Sequence, residues 1–295
     1  MKKFFIVLMC MMTLIFNTFA QDLELKMVKV PGANFEMLET EVTVALYEAI
    51  MGERPILTVR FVDVQTKEET VQKDNVQDGI ELFEYPVIAV SAYDAIYFCN
   101  KLSEKQGLDP VYSVNGKTDV NFWDYIPHDG RAIKKKINTD ITKNGYRLPT
   151  FDEWIYAAKG GESYLYPGSD DLNEVAWHKE NSFLTYHPVA GKKPNAYGLY
   201  DIVGNVYEWC QEGPSSAGTS VGKSIGKATG KAALNFLSKA LGGSVSAASD
   251  GVDIGKPLGG SYKTASEYCN TENEMWQACS MPSTEIGFRI VRTVY

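Results

Sequence analysis

The stretch PNAYGLYDIVGNVYEWC, from Pro194 to Cys210, decides how the rest of the chain is interpreted. It places two carboxylates, Asp201 and Glu208, on either side of a Gly-Asn turn rich in aromatic residues. The pattern favours a folded loop around a hard cation, because Ca²⁺ binds carboxylate and carbonyl oxygens together. We predict a calcium site that uses these two side chains and the carbonyls of Gly204 and Val206. The alternative is that both acids are N-caps or surface charges, since such spacing has no fixed geometry.

The N-terminus has the pattern of an export signal. Lys2 and Lys3 precede an apolar run from Phe4 to Phe16, and the residues up to Ala20 resemble a cleavage site. We expect residues 1–20 to be removed and the protein to reach the periplasm, the outer surface or the medium. An uncleaved anchor is the alternative, although the apolar run is short for a membrane span. No later segment is apolar enough to cross a bilayer.

Charge and cysteine content narrow the function classes. The chain has 37 acidic and 29 basic residues, a net charge of −8, which argues against a general nucleic-acid binder. Four cysteines remain after the signal, and in an oxidising compartment we expect at least one disulfide. Four cysteines allow three alternative sets of disulfide pairs, and the sequence does not choose among them. These cysteines are Cys99, Cys210, Cys269 and Cys279.

Local signals predict short elements separated by long turns. The predicted helices are Val44–Met51 after the cap Thr43, one after the cap Ser91, and one from Thr150 to Gly160-Gly161. Short strands are predicted at Val87–Val90 and Phe288–Val291. No long βαβ alternation is present, so a doubly wound parallel sheet is excluded.

Residues 213–257 differ from the rest in composition, being rich in Gly, Ser, Ala and Lys. Within them, residues 218–241 carry glycines every four residues, then lysines and a short leucine stripe. If helical, this segment could contact a membrane or a partner helix. We favour the alternative of a flexible insertion, because the glycines oppose a helix.

Few residues are candidates for a catalytic or metal-binding role. His128, His178 and His187 have no metal-ligand spacing, and we expect each in a turn or at the surface. No phosphate-binding, dinucleotide-binding or serine-hydrolase motif occurs. Near the C-terminus, Ser261 and Cys269 bring a hydroxyl and a thiol close in sequence. A closed soft-metal site needs at least two soft ligands, so we expect this cysteine to be half of a disulfide or a buried thiol.

Several stretches, in order over about 250 residues, resemble the formylglycine-generating enzyme or sulfatase-modifying-factor domain. They are MVKVPG (27–32), EVTVALYEAIMG (41–52), YPVIAVSAYDAIYFCNKLS (85–103), YRLPTFDEWIYAAKGG (146–161), HPV (187–189), the opening run, GGSY (259–262) and GFRIV (287–291). The resemblance implies an α+β fold, a loop-rich variant of the C-type lectin fold with short antiparallel strands and few helices. It implies one domain at 21–295, interrupted by the insertion. The family binds calcium at positions matching Asp201, Gly204, Val206 and Glu208.

The resemblance also bears on catalysis. The family's enzymes oxidise a sulfatase cysteine to formylglycine with O₂ and a copper ion held by two cysteines. Here Cys269 matches the second cysteine, Thr264 stands at the first, and Ser261 is retained. Tyr207 stands where active members commonly have Trp, and their Arg beyond the second cysteine is missing. A hydroxyl cannot replace a thiolate for Cu(I), so we expect no copper.

We therefore expect an exported, calcium-stabilised, non-catalytic protein that binds a protein or glycan ligand. Retroelement-diversified surface proteins share this fold and display ligand contacts before GFR. Residues 263–285 carry Tyr268, Asn273, Trp276 and Gln277, which suit such a face. The alternative is a formylglycine-generating oxidase, or an enzyme of altered chemistry that uses Cys269 with Ser261 as helper.

Overall fold

A computed structural model describes residues 25–62, 69–74, 84–212 and 255–295. The predicted signal at 1–20, the segment 218–241 and nearly all of the insertion at 213–257 lie outside the described residues. Within the described ranges, no helix is long and apolar enough to cross a membrane.

A four-stranded antiparallel sheet joins the two ends of the chain. Its strands are β1 (Met27–Lys29), β2 (Phe35–Leu38), β7 (Tyr146–Arg147) and β11 (Val291–Thr293). The order is β1-β2-β11-β7, with Met37 of β2 opposite Val291 of β11. This pairing fixes the C-terminal GFRIV stretch against the N-terminal part of the chain.

A second, three-stranded sheet carries the end of the Pro194–Cys210 run. Its strands are β8 (Tyr207–Trp209), β9 (Pro257–Leu258) and β10 (Ile286–Gly287). Strand β8 lies in the centre, antiparallel to β9 and parallel to β10. The other described strands form two two-stranded antiparallel sheets, β3 (Leu57–Val62) with β4 (Glu69–Asp74) and β5 (Tyr112–Val114) with β6 (Ile137–Thr139). The predicted loop-rich α+β class is confirmed.

All three predicted helices are confirmed at their caps. The helices are α1 (Val44–Met51), α2 (Ala92–Lys105), α3 (Phe151–Lys159) and a short, unpredicted α4 (Leu172–Val175). The side chains of Thr43, Ser91 and Thr150 each accept a hydrogen bond from the backbone N–H three residues on. Such a cap contributes about 1 kcal/mol. These helix starts are therefore set by local sequence.

Two apolar clusters form most of the core. In the larger, Tyr47 of α1 stacks on Phe98 of α2 at 5.4 Å, and Phe288 meets Phe98 edge-on at 5.3 Å. The second surrounds Trp154 of α3 and includes Leu199 and Ile202. The Pro194–Cys210 run therefore contributes to the core, and its acids are held in the interior.

Two other predictions are wrong in detail. Val87–Val90 is not a strand, because Ala89 has a left-handed φ of 58° and its N–H donates to the Ser283 carbonyl at 3.0 Å. The strand predicted at Phe288–Val291 begins only at its last residue, the start of β11.

The expected disulfide is also wrong: none joins the described cysteines. Cys99, Cys210 and Cys269 are buried in three different apolar clusters. The core therefore holds these thiols apart from one another.

Candidate functional site

The start of the Pro194–Cys210 run is organised by Asn195. Its side-chain oxygen accepts from the backbone N–H groups of Tyr197 (3.0 Å) and Leu199 (3.1 Å). Its amide donates to the carbonyls of Ala157 (2.8 Å) and Ala158 (3.0 Å). An asparagine that bonds backbone two residues on is a turn-forming device. This turn fixes the loop against the end of α3.

Glycine is sterically required at position 204 of the Gly-Asn turn. Gly204 has φ +79°, and a Cβ there would lie 2.3 Å from the Trp177 carbonyl oxygen. The same carbonyl accepts from the N–H of Asn205 at 2.7 Å. Asp201 and Asn205 are also left-handed, at φ 53° and 50°, a conformation that Asp and Asn tolerate better than most residues. The loop is thus a compact, sequence-determined structure.

Asp201 is buried and only half satisfied. Its Oδ2 accepts from the N–H of Ala190 at 2.6 Å. Its Oδ1 is buried with no hydrogen-bond partner among the described residues. Burial raises the pKa of Asp201 to about 6. This side chain therefore presents one oxygen that a cation could bind.

Glu208 is placed differently. Its carboxylate is fully buried and forms a bidentate ion pair with Arg289, with Nε–Oε2 at 2.7 Å and Nη2–Oε1 at 2.6 Å. Trp154 donates its indole N–H to the same Oε2 at 2.7 Å. Both oxygens accept from protein donors, Oε2 from two N–H groups and Oε1 from one. A carboxylate oxygen has two lone pairs, so the role of Glu208 as a calcium ligand stays a prediction.

A third carboxylate, Glu41, was missed by the sequence analysis. It is fully buried in the segment that precedes the cap of α1. Its Oε1 accepts from the side chain of Asn205 at 3.0 Å, while its Oε2 is buried without a partner among the described residues. Burial, followed by the charge of Asp201, raises its pKa well above the usual value. An acid within the apolar stretch around Val42 was the only local signal.

We call Glu41, Asp201, Glu208 and Arg289 the carboxylate cluster. Fully ionised, it holds three negative charges and one positive charge. Among the described residues, no group of three or more His, Cys, Asp or Glu side chains is arranged to hold a metal by itself. A cation here would need backbone carbonyl or water oxygens as well, which Ca²⁺ accepts. The donor set therefore fits calcium through Asp201, and the part played by Glu208 stays a prediction.

The position of the family's copper site is occupied by a chain of hydrogen bonds. Ser261 Oγ donates to Glu285 (2.7 Å), and Ser261 N–H donates to Thr264 Oγ1 (2.9 Å). Thr264 in turn donates to the Tyr207 hydroxyl at 3.1 Å, which also accepts from Asn273 at 3.0 Å. We call these five residues the hydroxyl chain. Its hydroxyl groups are paired with one another.

Cys269 adjoins the hydroxyl chain but does not bond to it. A Cβ built on Gly260 would lie 3.0 Å from the Cys269 sulfur and 3.5 Å from the Thr264 Cβ. The fold therefore brings these two positions to either side of one glycine. Burial, with a smaller effect of the Glu180 charge, raises the pKa of Cys269 to about 12. The side chain is a neutral thiol at physiological pH.

The histidines are not clustered. His128 is in a turn with φ 57°, but it is buried, with Nε2 3.0 Å from the Tyr47 hydroxyl. His178 is also buried, contrary to a surface position, with Nδ1 2.7 Å from Glu180. Both rings serve internal hydrogen bonds.

Exposed aromatic and aliphatic side chains occur on two segments, 183–184 and 268–276, that adjoin residues of the hydroxyl chain in sequence or through a hydrogen bond. Tyr268 is 58% and Trp276 66% exposed, and Phe183 and Leu184 are 89% and 59% exposed. The last two residues have left-handed φ angles of 57° and 58°. Their loop is anchored by Ser182, which donates to the Tyr262 carbonyl at 2.6 Å. We call these four exposed side chains the C-terminal face, although two of them come from an unpredicted loop.

Comparisons with known proteins agree on one family. The sulfatase-modifying factor enzyme 1-like domain matches residues 15–294. A protein named chaperone protein LppX, from Paenibacillus barcinonensis, is 32% identical over 220 residues, covering 66% of this chain and 73% of its own. A formylglycine-generating enzyme from Thermomonospora curvata is 36% identical over 83 residues, 23% of this chain and 27% of the enzyme.

A solved structure shares the fold over nearly the whole chain. The protein named Treponema denticola variable protein 1 has a TM-score of 0.62 and 29% identity, covering 91% of this chain and 92% of its own. This similarity supports the expected variant of the lectin-like fold. The chain belongs to the sulfatase-modifying factor enzyme 1-like domain family.

Proposed function

We propose that this chain is an exported, non-catalytic member of its family that binds a protein ligand through the C-terminal face, on a calcium-stabilised scaffold. One observation carries the proposal. Thr264 stands beside Cys269 where the active enzymes have a second thiolate, and its hydroxyl is committed to Ser261 and Tyr207. Soft Cu(I) needs thiolate ligands, and one buried thiol does not supply a pair.

The nature of the ligand is inferred from the surface and from the relatives. Rigid, exposed aromatic side chains give a large contact area at low entropic cost. The Paenibacillus relative is named a chaperone, and the Treponema protein is named a variable protein. The chaperone name favours a protein ligand. The binding experiment must therefore distinguish a protein ligand from a glycan ligand.

The catalytic alternative is tested with a peptide that carries a sulfatase-type cysteine motif. Protein supplied with copper is incubated with the peptide in air, and aldehyde formation is followed by mass spectrometry. We expect no product from the wild type. Thr264→Cys, which restores two thiols beside Gly260, shows whether the site can bind copper. If the wild type oxidises the peptide and Cys269→Ser does not, the oxidase replaces the proposal. If the peptide is converted by the wild type and this activity is lost in Ser261→Ala as well, an enzyme of altered chemistry is indicated.

The binding role is tested with a reduced, unfolding polypeptide and, separately, a glycan array. We expect the protein to suppress aggregation of the polypeptide, and Phe183→Ser with Leu184→Ser to weaken this effect. The matched control changes Tyr164 and Leu165 to Ser, since these are similarly exposed, at 52% and 72%, on another loop. Equal effects of both pairs would contradict a specific face. Glycan binding without any polypeptide effect would replace the protein ligand by a sugar.

A further inference from the structure

We infer that the connection between β5 and β6, residues 115–136, contacts the surface of an anionic phospholipid membrane. We call this segment the β5–β6 loop. It joins the two strands of an antiparallel pair, and its regular structure is one short 3-10 helix, Val120–Phe122. Connections longer than about 12–15 residues with little regular structure are uncommon in compact domains and usually serve a function. The inference uses residues outside the C-terminal face and does not depend on the ligand proposed above.

The β5–β6 loop is fixed to the core at three points. Trp123 is buried in the larger apolar cluster and donates its indole N–H to the Lys117 carbonyl at 2.9 Å. The His128 N–H donates to the Asp94 carboxylate of α2 at 2.9 Å, and Ile133 is buried in the same apolar cluster. The backbone of the loop is therefore held in place, and its exposed side chains are exposed by the fold.

Two large apolar side chains of the loop face solvent. Phe122 is 64% and Ile126 70% exposed, although Trp123 between them is buried. Exposed apolar residues that are scattered singly are ordinary in soluble proteins. Two of them on one anchored loop, together with a group of lysines, match the composition of segments that lie at a membrane interface. In such segments the apolar side chains enter the acyl boundary and the basic ones stay at the headgroups.

The charge of the β5–β6 loop is opposite to that of the whole chain. The loop has five basic and three acidic residues, a formal excess of two positive charges, whereas the chain has a net charge of −8. All five basic residues are exposed: Lys117, Arg131, Lys134, Lys135 and Lys136. A basic surface on an acidic protein orients that protein toward an anionic partner. Each Lys or Arg close to an anionic membrane contributes about 1 kcal/mol.

An ion pair brings the apolar and the basic parts of the loop together. The Asp124 carboxylate lies 3.6 Å from Lys135 Nζ, and Asp124 is two residues from each of the exposed apolar residues. Asp129 is likewise paired within the loop, with Arg131 at 3.2 Å. A lipid surface offers phosphate headgroups and acyl chains side by side. It therefore fits both parts of this loop.

The test is sedimentation of the mature protein, without residues 1–20, with phospholipid vesicles. Vesicles of phosphatidylcholine are compared with vesicles made of equal parts of phosphatidylcholine and phosphatidylglycerol. We expect binding to the anionic vesicles only, weakened by added salt. Lys134→Gln with Lys136→Gln should lower the partition coefficient at least about tenfold, the change that about 1.4 kcal/mol produces. Phe122→Ser with Ile126→Ser should lower it by a similar factor, because these side chains no longer bury apolar area.

The matched control is Lys29→Gln with Lys159→Gln, which changes the net charge equally at exposed positions outside the loop. It should bind as the wild type does. All the substituted side chains are exposed, and circular dichroism checks that each variant is folded.

Three results would overturn the inference. The first is the absence of binding to anionic vesicles, and the second is an equal loss in the control and in the lysine variant of the loop. The third is unchanged vesicle binding by Phe122→Ser with Ile126→Ser, which would exclude entry of the loop into the lipid. Binding to soluble polyglutamate but not to vesicles would instead assign the loop to an acidic protein.

Discussion

The carboxylate cluster and the hydroxyl chain meet at adjacent residues of β8, Glu208 and Tyr207, yet they differ in how completely they are bonded. In the part of the chain that the structure describes, the cluster retains two buried oxygens without a hydrogen-bond partner, and its formal charge is negative. In the hydroxyl chain, each hydroxyl is bonded to a neighbour. A deficit of donors marks a place for a ligand, whereas hydroxyl oxygens that are already bonded are less available to one. The comparison thus favours the proposed cation site in the carboxylate cluster over a ligand site in the hydroxyl chain.

The largest expected effect comes from breaking the ion pair of the carboxylate cluster. Arg289→Met removes the counter-charge of a fully buried Glu208 and should lower the free energy of unfolding by about 3–5 kcal/mol. Arg292→Met is the control, because the Arg292–Glu36 pair is partly exposed to solvent, at 32% and 15%, and should contribute less than the fully buried pair. Denaturant unfolding measures both. Equal losses would mean that the cluster is not held by this pair.

The second-largest effect is expected in the Gly-Asn turn, which lies in the loop that carries Asp201 of the carboxylate cluster. Gly204→Ala should cost about 2–4 kcal/mol, since it combines left-handed strain with a clash against the Trp177 carbonyl. Gly198→Ala is matched in backbone angle, at φ +85°, but has open space around it, and should cost only about 1–2 kcal/mol. Thermal and denaturant unfolding of the two variants give the difference. A difference near zero would show that the close approach at Gly204 is relieved by movement.

A smaller effect is expected in the hydroxyl chain. Thr264→Val removes the acceptor of the Ser261 N–H and the donor to Tyr207, at a cost of about 1–2 kcal/mol. Thr264→Ser keeps the hydroxyl and should stay close to the wild type. Unfolding midpoints distinguish the two variants. If Thr264→Val is neutral, the hydroxyl network is not closed in solution, and the comparison with the carboxylate cluster is weakened.

The smallest effect is a pH dependence of the calcium-free protein. The pKa of Asp201 is raised to about 6 in the folded state, so folding takes up a proton between about pH 4 and pH 6. The contribution of Asp201 to stability should therefore rise as pH falls through this window, by about 1 kcal/mol per pH unit at most. Asp201→Asn should flatten that slope. A slope unchanged by the substitution would place the titrating group elsewhere.

The sequence predicts those features that local contacts decide. The caps Thr43, Ser91 and Thr150 act within three residues, so the helix starts follow from the sequence. The Gly-Asn turn is similarly local, and its neighbours in the Pro194–Cys210 run could be recognised as one loop. The strand predicted at Val87–Val90 is wrong because the left-handed backbone at Ala89 depends on a contact with a distant segment.

Which residues form the candidate site depends on contacts between distant parts of the chain. Asn205 bonds Glu41 across 164 positions, and Arg289 bonds Glu208 across 81. No periodicity or spacing rule connects residues so far apart. The sequence proposes Glu208 as a ligand, but only the fold shows that it pairs with Arg289 and that Glu41 is buried. The exposed Phe183-Leu184 loop is missed for a related reason, since its anchor is the Tyr262 backbone.

The central claim is that this protein keeps the cation-binding scaffold of its family without the copper chemistry. Metal analysis of the mature protein, purified without chelators and dialysed against metal-free buffer, tests it most directly. We predict about one calcium per chain and no copper, with a lower melting temperature after chelation. Copper at about one per chain, lost in Cys269→Ser, would contradict the account.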